Sequence, residues 1–401
     1  MASPEYKQAF LTTQRGRLGD GDPSYAAMEA YLGSAAFDGD VKRLAQGNYW
    51  FGYPRKAHIS KYKTDRKRVA YIFPEKEQLI LKYAAFLLHR YDGIFSEQLY
   101  SFCKGRNVQE VLRQIDPLVR EAGRVVFQLD ITAYGASIAT EPLLIRLKNI
   151  LADDPSLFLF FKWLLNRKRA VADGVLAEDE TASLPGTAPS AFFCNVYLDG
   201  LDKAFAGKTL AYFRYADDVF MVFEDEASAR EVSAAYIREI RRLGLTVNEE
   251  KTALHKSGDA MVFLGFLFTG DGQIDIGPAT VEKMKARIRR QARKWRRRIG
   301  PGGLTVEEAV RGFVEQTNRK FFGEARIGDN YAQRYFPVIT RIDALKALDG
   351  QVQRYMRYIV TGRFTKKNYA IRYGDLKRMG YKSLVRAYYQ GREGCRDGGQ
   401  G

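Results

Sequence analysis

LAYFRYADDVFMVFED, residues 210–225, decides how this chain is read. Two β-rich apolar segments flank Ala216-Asp217-Asp218, which predicts a hairpin carrying two carboxylates at its turn. Adjacent aspartates on an apolar hairpin are costly unless their charge is offset. Buried carboxylates protonate, pair with cations or coordinate metal. No Lys or Arg lies between Tyr215 and Phe223 to pair with them locally. A plain surface turn is the alternative, and a bare YADD string arises in roughly a few percent of chains of this composition. The surroundings must decide.

Upstream, RVVFQLDI (124–131) is a continuous apolar run ending on Asp130, the pattern of a buried central strand. Residues 141–166 read as helical, 170–185 as a polar loop, and SAFFCNVYLDGLDKAF (190–205) as an apolar helix. Strand, helix and hairpin in that order let Asp130 approach Asp217 and Asp218. Hard divalent ions prefer oxygen ligands, and two of them about 3.5–4 Å apart can clamp the oxygens of a phosphoryl transfer. Imidazole chemistry has little to work with, since the only histidines are His58, His89 and His255.

Composition points the same way. The chain has 401 residues, is 46% apolar with 25 Phe and 24 Tyr, and carries a net charge of +17. That suits a large globular core of several lobes and a polyanionic partner. Cys103, Cys194 and Cys395 are too few and too scattered for a disulfide framework or a zinc site, so a reducing cytoplasm is expected. The N-terminal MASPEYKQAF lacks the pattern of a secretory signal. The run Leu157 to Leu165 contains Lys162 and is too short to span a bilayer, so no membrane partner is expected.

Outward from the centre, residues 1–60 are aromatic and turn-rich and are not assigned. KYKTDRKRVAYIFP (61–74) reads as a strand with a basic approach. Residues 75–92 and 107–121 read as helices, the second with Asn107 as N-cap. A helix is expected at 226–243, with strand-like pieces around TVNEEKT (246–252) and AMVFLGFLF (260–268). Segment 281–299 holds ten Lys or Arg against one Glu. Val281, Met284, Ile288, Trp295 and Ile299 would form its apolar face. The other face is either simply solvated or tracks phosphates.

These stretches together resemble the bacterial reverse transcriptases. FQLDITAYGASI (127–138) is similar to the family's first catalytic motif, and LPGTAPSAFFCNVYL (184–198) to the motif beneath nucleotide and template. YFRYADDVFMVF resembles the YxDD hairpin, LGLTVNEEKT (243–252) the motif that follows, and FLGF (263–266) the primer-grip strand. KYKTDRKRVAYIFP resembles the basic fingers motif, and LYSFCKGR (99–106) a segment beside the template path.

The resemblance implies an α+β right-hand polymerase. Its parts would be an N-terminal extension (1–58), fingers (59–125), a palm of antiparallel sheet plus helices (126–270), and a helical, basic thumb region (271–401). Asp130, Asp217 and Asp218 would hold two Mg²⁺ ions, or Mn²⁺, with the Ile131 carbonyl. Arg68 is the first choice for the nucleotide's phosphates, then Arg66 and Lys67. Tyr134, Gly135, Gly186 and Ser190 would shape the nucleotide site, and Lys251 would assist the leaving group, a plain surface lysine being the alternative. Tyr215, Leu264 and Gly265 would face primer and template. The implied partners are an RNA template, a DNA product and dNTPs, with a homo-oligomer or partner protein possible.

Two positions depart from the family pattern. Pro185 stands where relatives carry Gln, and Gly135 where they carry the bulky residue that blocks a ribose 2′-hydroxyl. Tyr134 is expected to swing into that gate's place, the alternative being an open gate. The implied function is RNA-directed DNA polymerisation in bacterial phage defence with a structured non-coding RNA, because GDLKRMGYKSLVRAYY (374–389) resembles that group's thumb extension. A template-independent or protein-primed polymerase and an inactive RNA-binding scaffold are the rivals.

Overall fold

The computed structural model describes residues 1, 3–18, 22–60, 67–179, 183–300, 302–323 and 330–397. The chain divides into two compact units, Met1–Ser257 and Gly258–Gly401.

The first unit is built on a four-stranded antiparallel sheet. Its fingers sheet comes earlier in the chain, from β1 (Arg55–Ser60) and β2 (Lys67–Ile72). The central sheet uses β3 (Val125–Asp130), and β4 (Arg169–Ala172) and β5 (Val175–Glu178) return to the fingers sheet. β6 (Ala211–Tyr215), β7 (Asp218–Phe223) and β8 (Ala253–Lys256) complete the central one in the order β6-β7-β3-β8. The apolar run of 124–131 is thus the inner strand expected of it. Helices Ser190–Ala206 and Glu226–Arg242 pack on this sheet. Asp225 caps the second of them, accepting from Ser228 N at 2.8 Å. Asn107 caps Val108–Arg120 in the same way, accepting from Glu110 N at 3.0 Å.

The strand expected in KYKTDRKRVAYIFP forms as β2 and pairs with β1 in a hairpin. The fingers sheet, β2-β1-β4-β5, corrects one expectation. The stretch 170–185, read as a polar loop, contains the β4–β5 hairpin. Its turn is Asp173-Gly174, both at positive φ (49° and 84°). Asp-Gly is the pairing that a two-residue hairpin turn favours, a signal visible in RAVADGVLAE and overridden by the segment's polarity. The unassigned N-terminus forms helices Pro4–Leu18, Pro23–Leu32 and Ala35–Ala45. Phe10 and Phe37 pack with Tyr83 of helix Glu75–Leu88. Buried Asp40 ties the bundle to that helix through Lys76 at 2.6 Å.

The second unit starts with an antiparallel sheet of β9 (Met261–Phe263), β10 (Phe266–Phe268) and β11 (Ile274–Ile276). Helices Pro278–Arg296, Val306–Phe322, Asp343–Thr361 and Leu384–Asp397 follow. The first buries Val281, Met284 and Ile288 as its periodicity requires. Trp295 lies directly on Gly312 and donates its ring N–H to Gln316 at 3.0 Å. The unit boundary at 257/258 lies upstream of the expected palm–thumb boundary at 270, so β9 and β10, with Leu264 and Gly265 in their turn, belong to the second unit.

Candidate active site

The hairpin turn between β6 and β7 is Ala216-Asp217, with Tyr215 paired to Asp218. Ala216 adopts φ 56°, a left-handed conformation that costs a residue with a Cβ about 1 kcal/mol or more. Two side chains hold it there. Ser101 Oγ accepts from Ala216 N at 2.9 Å, and the Arg214 guanidinium donates to Ala216 O at 3.1 Å. Arg214 is fully buried and also grips buried Asp202 with two nitrogens, at 2.7 and 2.5 Å. Burial by itself would lower the guanidinium's pKa, and the Asp202 carboxylate more than offsets that. Tyr212 adds a hydroxyl to Asp202 at 2.7 Å, and Asn195 joins Ser101 on the other side. This buried clamp under the turn went unforeseen. Its signal lay in AYFRY, an arginine in an apolar strand, and in Asp202 on the apolar side of its helix.

β3 runs antiparallel to β7 in a register that sets Asp130 opposite Asp218. Ile131 N donates to Asp217 O at 3.1 Å, joining the strand end to the turn. The three aspartates therefore meet, as their order in the chain suggested. Asp130 is 7% exposed. Lys251 Nζ donates to one of its oxygens at 2.6 Å and Asn248 Nδ2 to the other at 2.9 Å. The segment 246–251 is drawn there by backbone bonds from Thr132 N to Thr246 O and from Asn248 N to Asp130 O, both 2.8 Å. Asn248 was not among the expected site residues.

The carboxylates repel one another in a partly dry setting. Burial raises the pKa of Asp217, and the charge of Asp130 adds to the rise, while Lys251 and Arg68 pull against it. Asp218 is pushed up to about 7, first by burial and then by the charges of Asp217 and Asp130. Arg68, exposed on β2, is thus close enough for its charge to act on Asp217. Lys67 is exposed on the same strand, and Arg66 lies outside the described residues.

Leu184-Pro185-Gly186 lies between β2 and the segment that follows β3. Pro185 O accepts from Tyr71 N at 2.8 Å. Gly186 has φ 91°, and a Cβ there would stand 2.9 Å from that of Ala70, so only glycine fits. A Cβ on Gly135 would lie 3.5 Å from the Pro185 ring and from Ser183 Oγ. The two departures from the family pattern therefore face each other. Ser190 is buried at the start of helix Ser190–Ala206. Tyr134 does not take the gate's place: it is buried, with its hydroxyl donated to Cys194 O beneath the loop. Its aromatic ring gains more from the core than from a wet site. Tyr215 is half-buried beside Phe102. In the second unit, Leu264 O accepts from Arg334 and Gly265 O from Gly277 N.

Among the described residues, no three His, Cys, Asp or Glu side chains converge as a ready ligand set. Both Asp130 oxygens are directed to Lys251 and Asn248 instead. The donor set nevertheless suits a hard divalent cation. It is all oxygen, and Asp217 and Asp218 are held protonation-prone by burial and like charge, which an added positive charge would relieve.

No curated protein matches the chain. Among solved structures, the RNA polymerase complex inside a dsRNA virus aligns with TM-score 0.50 at 11% identity, over 67% of this chain and 27% of that one. That likeness supports the right-hand polymerase fold alone. Telomerase from Candida tropicalis aligns at TM-score 0.44 and 12% identity, over 56% of this chain and 54% of that one. The chain thus spans about half or less of the length of these neighbours. The model of the family described as "Reverse transcriptase (RNA-dependent DNA polymerase)" matches residues 61–268, which takes in β2, all three aspartates and Lys251. With more than half its length under that match, the chain belongs to the reverse transcriptase family.

Proposed function

We propose that the protein is an RNA-directed DNA polymerase that adds nucleotides at Asp130, Asp217 and Asp218. The carrying observation is the β3–β7 register, which sets Asp130 against Asp218 at the end of a buried sheet beside a basic fingers strand. Two divalent ions, Mg²⁺ or alternatively Mn²⁺, would be held by these carboxylates and the Ile131 carbonyl, supplying charge stabilisation for the attacking and leaving oxygens. Arg68 and Lys67, with Arg66, would neutralise the triphosphate, Arg by forked hydrogen bonds. Gly186 and Ser190 would form the floor under the base pair, and Tyr215 would sit near the primer end. Leu264 and Gly265 are assigned to the primer side. Lys251, already donating to Asp130, would turn to the departing pyrophosphate and give it a proton.

Primer extension on an RNA template with dNTPs, with and without Mg²⁺ or Mn²⁺, tests this reading. Metal-dependent, template-directed DNA synthesis supports it. Products unrelated to the template would favour the template-independent rival, and RNA binding without synthesis the inactive scaffold. The resemblance of residues 374–389 extends the proposal to bacterial phage defence with a structured RNA partner, which sequencing of co-purifying RNA checks.

Two predictions arise here. With Tyr134 engaged in the core and glycine at 135, discrimination against ribonucleotides should not exceed about a hundredfold. Competition between dNTPs and rNTPs measures it, and exclusion of about 10⁴-fold or more would return the gate to a side chain. The second concerns pH. Burial and the neighbouring aspartates push the Asp218 carboxyl up to about 7, and the charge of Lys251 pulls against that rise. The acid limb of kcat/KM should therefore move to higher pH in Lys251→Met, because the carboxylates then need more alkaline solution to ionise. An unmoved limb would remove Lys251 from the electrostatics of the site.

A further inference from the structure

The positive charge of the chain is concentrated. Residues 258–401 hold 29 Lys and Arg against 14 Asp and Glu, a net +15 of the chain's +17. Within 354–378 there are eight cations and a single acid, Asp375. This stretch runs from the last turns of helix Asp343–Thr361 through the loop that follows and the short helical segments Lys366–Ala370 and Tyr373–Arg378, beyond the family match at 61–268.

Several of its aromatic rings lie outside. Tyr369 is 72% exposed and Phe364 45%. Phe364 stacks flat on Tyr358, with centroids 4.6 Å apart and planes 6° off parallel, and the Arg354 guanidinium stands 4.9 Å from its centre. Arg357 lies 5.3 Å from the centre of Tyr369 and is anchored by donating to Ile371 O at 2.9 Å. Cation and ring alternate along the surface.

The loop is also built to hold this arrangement. Gly362 ends the helix at φ 72°, turning the chain outward. Buried Asn368 then donates to Arg363 O at 2.6 Å and accepts from Thr365 Oγ1 at 3.1 Å. The loop's polar interior is satisfied from within, leaving rings and cations for a ligand. An apolar peptide would meet unscreened cations, and an acidic one would leave the rings unused. Unpaired bases with their phosphates use both, because every base has a face to stack and every linkage a charge.

We propose that this face of the C-terminal unit binds single-stranded RNA. A base stacks on Tyr369, and neighbouring phosphates meet Lys366, Lys367 and Arg363. The choice of RNA over DNA rests on the RNA-directed reading above; the stacking surface does not.

Fluorescence anisotropy of the full chain with labelled oligouridylate, without nucleotides or divalent ions, tests it apart from polymerisation. Tyr369→Ala should weaken binding about tenfold, and Tyr369→Phe should bind like the parent. Lys366→Gln with Lys367→Gln should flatten the salt dependence by about two phosphate contacts. Thermal melts should be unchanged, since all three side chains are exposed. Parental affinity and salt slope in these variants would overturn the site. Oligothymidylate binding as tightly as oligouridylate would overturn the assignment to RNA, and loss of primer extension in a chain that still binds would count against the polymerase reading alone.

Discussion

Asp217→Ala should lower nucleotide addition by about 10²–10³-fold or more without weakening RNA binding, and Asp218→Asn should do the same. These carboxylates can do little for the fold. Burial disfavours the charge of each, and Asp130 repels both. Removing one should therefore raise the melting temperature of the metal-free protein while abolishing its chemistry. The sign of the pH dependence follows from the same shift. A carboxyl whose folded pKa is raised binds its proton more tightly in the folded state, so its presence erodes stability as pH rises from the usual carboxylate range through about 7. The gain from Asp218→Asn should accordingly be larger at pH 8 than at pH 5. Primer extension, RNA affinity and melting at the two pH values check this, and a variant that melts lower while losing activity would point to a structural role instead.

Arg214→Ala carries the largest expected cost to folding, about 3–5 kcal/mol, because it leaves the Asp202 carboxylate buried without its cation. It also removes the donor to Ala216 O, one of two bonds that keep the turn at Ala216 left-handed. The two effects separate in a double variant. Arg214→Met with Asp202→Leu takes out the whole buried ion pair and should recover much of the stability, as apolar replacements of such pairs do. The Ala216 carbonyl stays without its donor, so the rate of nucleotide addition should remain low. Denaturant titration and single-turnover extension measure the two halves. Full recovery of rate along with stability would mean that Arg214 serves folding only.

Much of this was legible beforehand for definite reasons. β3 is buried on both faces, so it reads as an uninterrupted apolar run, and its terminal Asp130 is conspicuous. Helix Val108–Arg120 announced itself by a 3.6-residue period and an asparagine cap. By contrast, β5 lies exposed at the sheet edge, and the Asp-Gly turn before it was outweighed by the polar residues that follow. The first two N-terminal helices have weak amphipathicity, and the aromatic residues Phe10 and Phe37 find a partner in Tyr83, far along the chain.

The sequence by itself was enough for the resemblance to the reverse transcriptases and for the expectation that three aspartates meet on a β-framework, because order, spacing and alternation are local properties. Tertiary structure alone decided what surrounds them. It drew Tyr134 into the core, set Pro185 against Gly135, and brought Asn248 and Lys251 onto Asp130. It also placed Arg214 beneath the turn with Asp202 and Ser101 as its supports. Each of those contacts joins residues distant in the chain, and a buried polar group takes whichever partner packing delivers to it.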